Sequence, residues 1–325
     1  MRLAWILDTP DSLHSLRNNG SHFSHASPTG LQITETGQLL GQLNPEILAE
    51  IRRQQLRLVP LVANAGFAVE TAAALFGTAS LRRKHADLLA ARAEAEQWDG
   101  INLDIEGPFL DFRQEYVEFT ALLKSKLGER QLSVDIVPRT GPATMDSVPL
   151  REQDPEGWVR AWKEPFDYAG LTHSADYLIL MGYDYTSRLM QPGPVAPLPW
   201  LQAILSYAGS ETQLENVVLG LPLYGRSWAR WPGCSWAEGR TIVPRLLEGW
   251  PRRESDHQGH RCRVVQWQDD AGRHWGSYDT PETLAAKAQL AVDHGLAGTA
   301  FWRLGFEPAG FWERMQAPGS AGTTR

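Results

Sequence analysis

Two cysteines among 325 residues cannot frame a disulfide-stapled fold, so this chain must hold itself together by packing. Positive charge is in short supply as well. The formal net charge of −7 argues against nucleic acid or an anionic membrane surface as the main partner. No apolar run approaches the roughly 18 residues that a bilayer crossing needs. The N-terminal stretch reaches Asp8 before the apolar region of a signal peptide could form, which reads as a cytoplasmic protein or the mature form of an exported one. A Gly-rich phosphate loop is missing, and so is a Gly-x-Ser-x-Gly elbow; a nucleotide enzyme and a serine hydrolase both lose support. Internal repeats are absent, and the only biased tract is the tail at 319–325, expected to be disordered.

What the chain does have is apolar bulk and aromatic rings. Hydrophobic residues make up 42% of it, enough for a large single core, and a length of 325 suits one α/β barrel over residues 1–318. Thirteen Trp and eight Tyr divide between two readings, ordinary packing and flat platforms for the apolar faces of sugar rings.

The stretch Asp99-Gly-Ile-Asn102-Leu-Asp104-Ile-Glu106 alternates with period two. As a strand it sends Ile101, Leu103 and Ile105 to one face and Asn102, Asp104 and Glu106 to the other. Carboxyl groups on the inward face of a strand must find partners or shift their pKa values. The charge of Asp104 two residues behind Glu106 raises the proton affinity of Glu106, and an acid kept protonated near neutral pH is a proton donor in outline.

Short apolar runs alternate with helical patterns along the whole chain, the mark of repeated βα units. Strands are expected at 2–8, 22–28, 57–63, 100–105, 132–137, 177–182, 217–223 and 298–302, eight in all, which fits a (β/α)8 barrel. Asp111 with Gln114 looks like a capping box for a helix that Gly128 stops, and Thr280-Pro281 opens another that ends at Gly295. The rhythm breaks at 229–278, rich in Trp, Arg, Gly and Pro, where a small hairpin is expected around Asp269 to Gly272. This reads as an insertion between strand seven and helix seven, on the face where barrel loops set specificity.

The Asp-Gly-x-Asn-x-Asp-x-Glu stretch resembles the fixed positions of glycoside hydrolase family 18, the chitinase-like hydrolases, with Asn102 where many members carry Asp. Met181-Gly-Tyr183-Asp184 is similar to the family's Met-x-Tyr-Asp motif, and Gly220-Leu-Pro-Leu-Tyr224-Gly to its seventh strand. Gly298 to Trp302 resembles the eighth strand. The passages 23–28, 31–39 and 59–64 look like the branch of spore-cortex glucosaminidases and chitobiases, so the resemblance spans about 3–315. It implies a (β/α)8 barrel that cleaves β-linked N-acetylglucosamine with retention, the substrate's own acetamido oxygen acting as nucleophile. Glu106 would then be the general acid and base, and Asp104 would hold the acetamido N–H. Tyr183 and Asp184 would orient the same group. Trp302 is expected to floor the cleft, and Tyr224, Asn102 and Asp99 to take part in substrate binding; Trp228 would line the cleft or pack at its rim. No metal or organic cofactor is implied.

Asp135 on strand five either supports the acid or fills the barrel as an ordinary polar residue. Cys234 and Cys262 could pair, remain free thiols, or join His257 and His260 as a His2Cys2 zinc site. The expected partner is an oligosaccharide or cell-wall glycan containing N-acetylglucosamine, met by a monomer without nucleic acid or membrane. Chito-oligosaccharides, peptidoglycan and N-glycan cores all remain open as substrates, as does a lectin-like barrel that binds without cleaving.

Overall fold

The architecture follows from one period-two pattern repeated around a ring. In the computed structural model, which describes residues 1–66, 68–141, 158–230, 239–244, 253–270 and 272–316, eight strand positions run parallel and close on themselves. They are β1 (Arg2–Ile6), β2 (His25–Pro28, continued by Leu31–Ile33), β3 (Arg57–Leu58, continued by Leu61–Asn64) and β4 (Gly100–Asp104). The rest are β5 (Gln131–Ile136), β6 (Tyr177–Met181), β7 (Val217–Pro222) and β8 (Gly298–Trp302). Closure runs through the two interrupted strands. His25 pairs with Arg57 in their first halves and Leu31 with Val62 in their second, while β8 pairs back onto β1. All eight strands expected from the sequence are present, and the (β/α)8 barrel stands. The interruption in β3 falls at Val59-Pro60, where proline has no N–H to give the ladder.

Alternation sorts side chains between two layers. Ala4 and Ile6 of β1, with Ile101 and Leu103 of β4, point outward into the layer under the helices. Leu3, Trp5, Ile179, Val218 and Ala300 point inward and fill the barrel. Each fully buried aliphatic side chain contributes about 1.5–3 kcal/mol, so a one-residue register slip would invert a layer and be strongly resisted. Because Ile101, Leu103 and Ile105 all sit in the outer layer, Asn102, Asp104 and Glu106 must face the barrel interior and its mouth, as their spacing predicts.

The helix over 113–127 begins without the expected Asp111 cap: a 3-10 turn at Leu110–Phe112 feeds straight into it, and Phe112 at the cap position makes no side-chain bond. Gly128, with φ +60°, ends it. At 281–293, Thr280 and Thr283 cap each other reciprocally, and Gly295 (φ +68°) follows the end. The inserted segment is more than a hairpin. Gly225–Arg230, Arg240–Ile242, Arg253–His257, Cys262–Asp269 and Gly272–Tyr278 form an antiparallel five-stranded sheet, whose last two strands turn at Asp269↔Gly272 as expected. The tail at 319–325 lies outside the described residues. No helix among those described is long and apolar enough to cross a membrane.

Candidate active site

The carboxyl ends of the strands form one mouth, and the predicted acids meet there. Asp104 is the last residue of β4, and Glu106 follows two positions later, just before a turn through Gly107 at φ +136°. Burial pushes the Asp104 carboxyl up to about 6, and one of its oxygens is buried without a hydrogen-bond partner. Glu106 is pushed further, to about 8, by burial first and then by the charges of Asp104 and Asp184. Burial and the like charge of Asp104 together favour the protonated form of Glu106 near neutral pH.

Beneath Asp104 lies a closed polar network. Asn102 is fully buried; its Oδ1 accepts from Trp5 Nε1 at 2.8 Å and Ser27 Oγ at 3.1 Å. Indole N–H is only a donor, which fixes the amide orientation and leaves Nδ2 to donate to Asp135 Oδ1 at 2.8 Å. Burial and the neighbouring Asp104 hold Asp135 well above the usual carboxylate range. Of the two readings of Asp135, support of the acid from beneath is the one its position fits. Asn102 is corrected: sealed under Asp104 by three partners, it has no surface for a sugar. Asp99 is corrected as well. It precedes β4 at the far end of the barrel, where its carboxylate accepts from Leu58 N at 2.7 Å, so it ties β4 to β3 instead of reaching the cleft.

Across the mouth from Glu106 stand the ends of β6, β7 and β8. Tyr183 packs edge-on against Trp5 at 6.3 Å and near Tyr224 at 6.4 Å between ring centroids. Asp184, at φ +56°, receives the Tyr224 hydroxyl at 2.5 Å and an ion pair from Arg226. Burial holds both tyrosine hydroxyls far above their ordinary pKa, so they act as neutral donors and acceptors. Trp302 ends β8, half-buried, and meets Trp5 edge-on at 5.8 Å. Glu106, Asp104, Tyr183, Asp184, Tyr224 and Trp302 are thus brought to one mouth. Gly220 makes room for them: a Cβ there would meet Trp5 at 3.3 Å and Tyr183 at 3.4 Å.

Arg226 is the residue that sequence reasoning missed. It sits on the first inserted strand, 8% exposed, and neutralises Asp184 so that this carboxylate does not stand uncompensated opposite Glu106. The available signal was the Tyr224-Gly-Arg226 alternation, which puts both polar side chains on one face. Trp228 is buried against Trp275 with centroids 5.8 Å apart, so the packed reading holds. His257 and His260 stack at 4.1 Å, and among the described residues no three metal-ligating side chains converge. Cys262 is a buried free thiol, and Cys234 lies outside the described residues.

Comparison with known proteins adds to this geometry. The family model described as Glycosyl hydrolases family 18 matches residues 63–307. An uncharacterized glycosylase of Bacillus subtilis (strain 168), YvbX, is 22% identical over 97% of this chain and 90% of its own. Di-N-acetylchitobiase of Mus musculus is 25% identical over 65% of this chain and 62% of its own. Among solved structures, a chitinase from Chromobacterium violaceum ATCC 12472 reaches a TM-score of 0.82 at 21% identity, covering 97% of both chains. The spore cortex-lytic enzyme SleL of Bacillus megaterium QM B1551 also reaches 0.82, at 20% identity over 97% of this chain and 72% of its own. At such identities the solved structures establish a shared fold.

Proposed function

The chain belongs to the glycosyl hydrolases of family 18 and is a glycoside hydrolase; from that premise we propose that it cleaves β-linked N-acetylglucosamine with retention, Glu106 serving as acid and then base. The observation that carries this reading is the convergence at one mouth of Asp104 and Glu106, two residues apart at the end of β4, with Tyr183, Asp184 and Trp302 from the ends of β6 and β8, where burial and the charges of Asp104 and Asp184 raise the proton affinity of Glu106. Glu106 gives its proton to the glycosidic oxygen as that bond breaks. The acetamido oxygen of the same sugar attacks the anomeric carbon, and the ring closes to an oxazolinium ion. Ionised Asp104 takes the acetamido N–H and offsets the positive charge. Tyr183 and Asp184 hold the acetamido group in line, and Trp302 supports the apolar face of the ring. Water then opens the ring as Glu106 takes back a proton.

The substrate reading rests on the relatives. Their names speak of di-N-acetylchitobiose and of spore cortex, so short chito-oligosaccharides and peptidoglycan are the two glycans of choice. The test is product analysis by mass spectrometry after incubation with N-acetylglucosamine oligomers, peptidoglycan and an N-glycan. Fragments from any of them, with sizes that reveal exo or endo cleavage, support hydrolysis. Saturable oligomer binding without products would overturn it in favour of a lectin-like barrel. De-N-acetylated oligomers should not be cleaved; equal turnover on them would remove substrate assistance.

A further inference from the structure

Glu106 lies beyond the end of its own ladder. The paired stretch of β4 stops at Asp104, with Ala63 as its partner on β3, and the chain turns at Gly107. The neighbouring backbone cannot follow it outward. Ala65 N is drawn to Ile33 O on β2 at 2.9 Å, and Gly66 turns away at φ +73°. A side chain takes over instead. Asn64 Oδ1 accepts from Glu106 N at 2.9 Å, and Asn64 Nδ2 donates to Glu106 O at 2.6 Å. Both assignments are forced, because a peptide N–H only donates and a carbonyl only accepts.

Resting on the hydrolase reading above, we propose that Asn64 is a positioning residue that clamps the Glu106 peptide and thereby aims the acid at the glycosidic oxygen. Its amide copies the donor–acceptor pair of a peptide group and extends the β3–β4 ladder to the one residue that needs a fixed direction. At 4% exposure the clamp is shielded from competing water. No other common side chain fits. Ionised Asp lacks the donor, Gln is one methylene too long for the same planar approach, and Ser offers a single hydroxyl. Asn64 does not touch the substrate, so its loss should act on turnover and spare ground-state binding.

The test compares wild type, Asn64→Ala and Asn64→Asp for kcat, KM and pH profile on N-acetylglucosamine oligomers, with hydrogen exchange of the segment around residue 106. Asn64→Ala should lower kcat by about 10–100-fold with KM within a factor of about two, since a misplacement near 1 Å costs on that order. Exchange around Glu106 should quicken. Asn64→Asp should recover turnover as pH falls, because the carboxylic acid again presents one donor and one acceptor. Asp104 also titrates beside Glu106, and the charge of Asp184 faces it, so the recovery is read as the ratio to wild type. Wild-type kcat in Asn64→Ala, or equal losses in both variants at every pH, would overturn the clamp. The exchange arm judges the clamp separately from the activity. Unchanged protection in Asn64→Ala sinks it even if no substrate is cleaved, whereas an inactive wild type with protection lost in the variant sinks only the hydrolase reading.

Discussion

A carboxyl that must donate a proton near neutrality needs an environment that penalises its anion, and around Glu106 three sources do so. Burial comes first, then the charges of Asp104 and Asp184. The second of these is tempered by Arg226, which pairs with Asp184. The pH profile of kcat/KM should therefore be bell-shaped. On the proposed mechanism its alkaline limb, near 8, marks ionisation of Glu106 as the acid, and its acid limb, near 6, marks protonation of Asp104 as the group that holds the acetamido N–H. In Glu106→Gln, turnover should fall on the order of 10²–10⁴-fold while circular dichroism stays that of the wild type. A variant with near-normal activity would assign the acid elsewhere. The two carboxyls were legible in the sequence because period-two alternation states which residues share a face. Of the partners that tune them, Asp135 could be singled out but not assigned between two readings, and Arg226 was missed, since it comes from a strand far away in the chain. Asp99 and Asn102 show the other limit. A motif reports that positions go together without saying which of them reach the ligand and which brace the ones that do.

Elements carry the site by ending where they do. Inside the barrel, Trp5 is the common floor: its ring edge meets Tyr183 and Trp302, and its N–H fixes Asn102. Such a large ring fits only because β7 contributes no side chain at 220. Gly220→Ala would place a methyl group 2.8 Å from Leu180 O as well as against Trp5 and Tyr183. Backbone cannot yield as a flexible side chain would, so overpacking should cost about 1–3 kcal/mol in urea unfolding. It should lower kcat too, by tilting Tyr183; stability lost with kinetics intact would show that the floor does not transmit to the mouth. The eight strands and the Thr280 cap could be anticipated because local patterns encode them. The inserted sheet beyond its hairpin could not. Arg253–His257 is polar and exposed throughout, so no alternation marks it as a strand, and only its pairing with Cys262–Asp269 makes it one.

At the scale of the whole molecule, the features that serve catalysis work against stability. Asp104, Glu106 and Asp135 all have raised proton affinity in the fold, which means that the native state binds their protons more tightly than the unfolded chain does. For such groups stability is fully present below the unfolded carboxylate pKa, near 4, and is lost as pH rises through the folded values, about 6 for Asp104 and about 8 for Glu106. Salt-bridged carboxylates, whose folded pKa is depressed, would instead gain stability only below that window, as pH rises toward the unfolded value near 4, and stay flat across it. Between pH 5 and 9 the wild-type melting temperature should therefore fall more steeply than that of Glu106→Gln, and the difference between the two curves should widen through pH 8. A separation of about 2 °C or more at pH 9, with the neutral variant the more stable, fits a site that stores strain as withheld ionisation. Parallel curves would mean that water relaxes around Glu106 in the free protein, and the acid would then have to acquire its proton affinity only when a sugar closes the mouth.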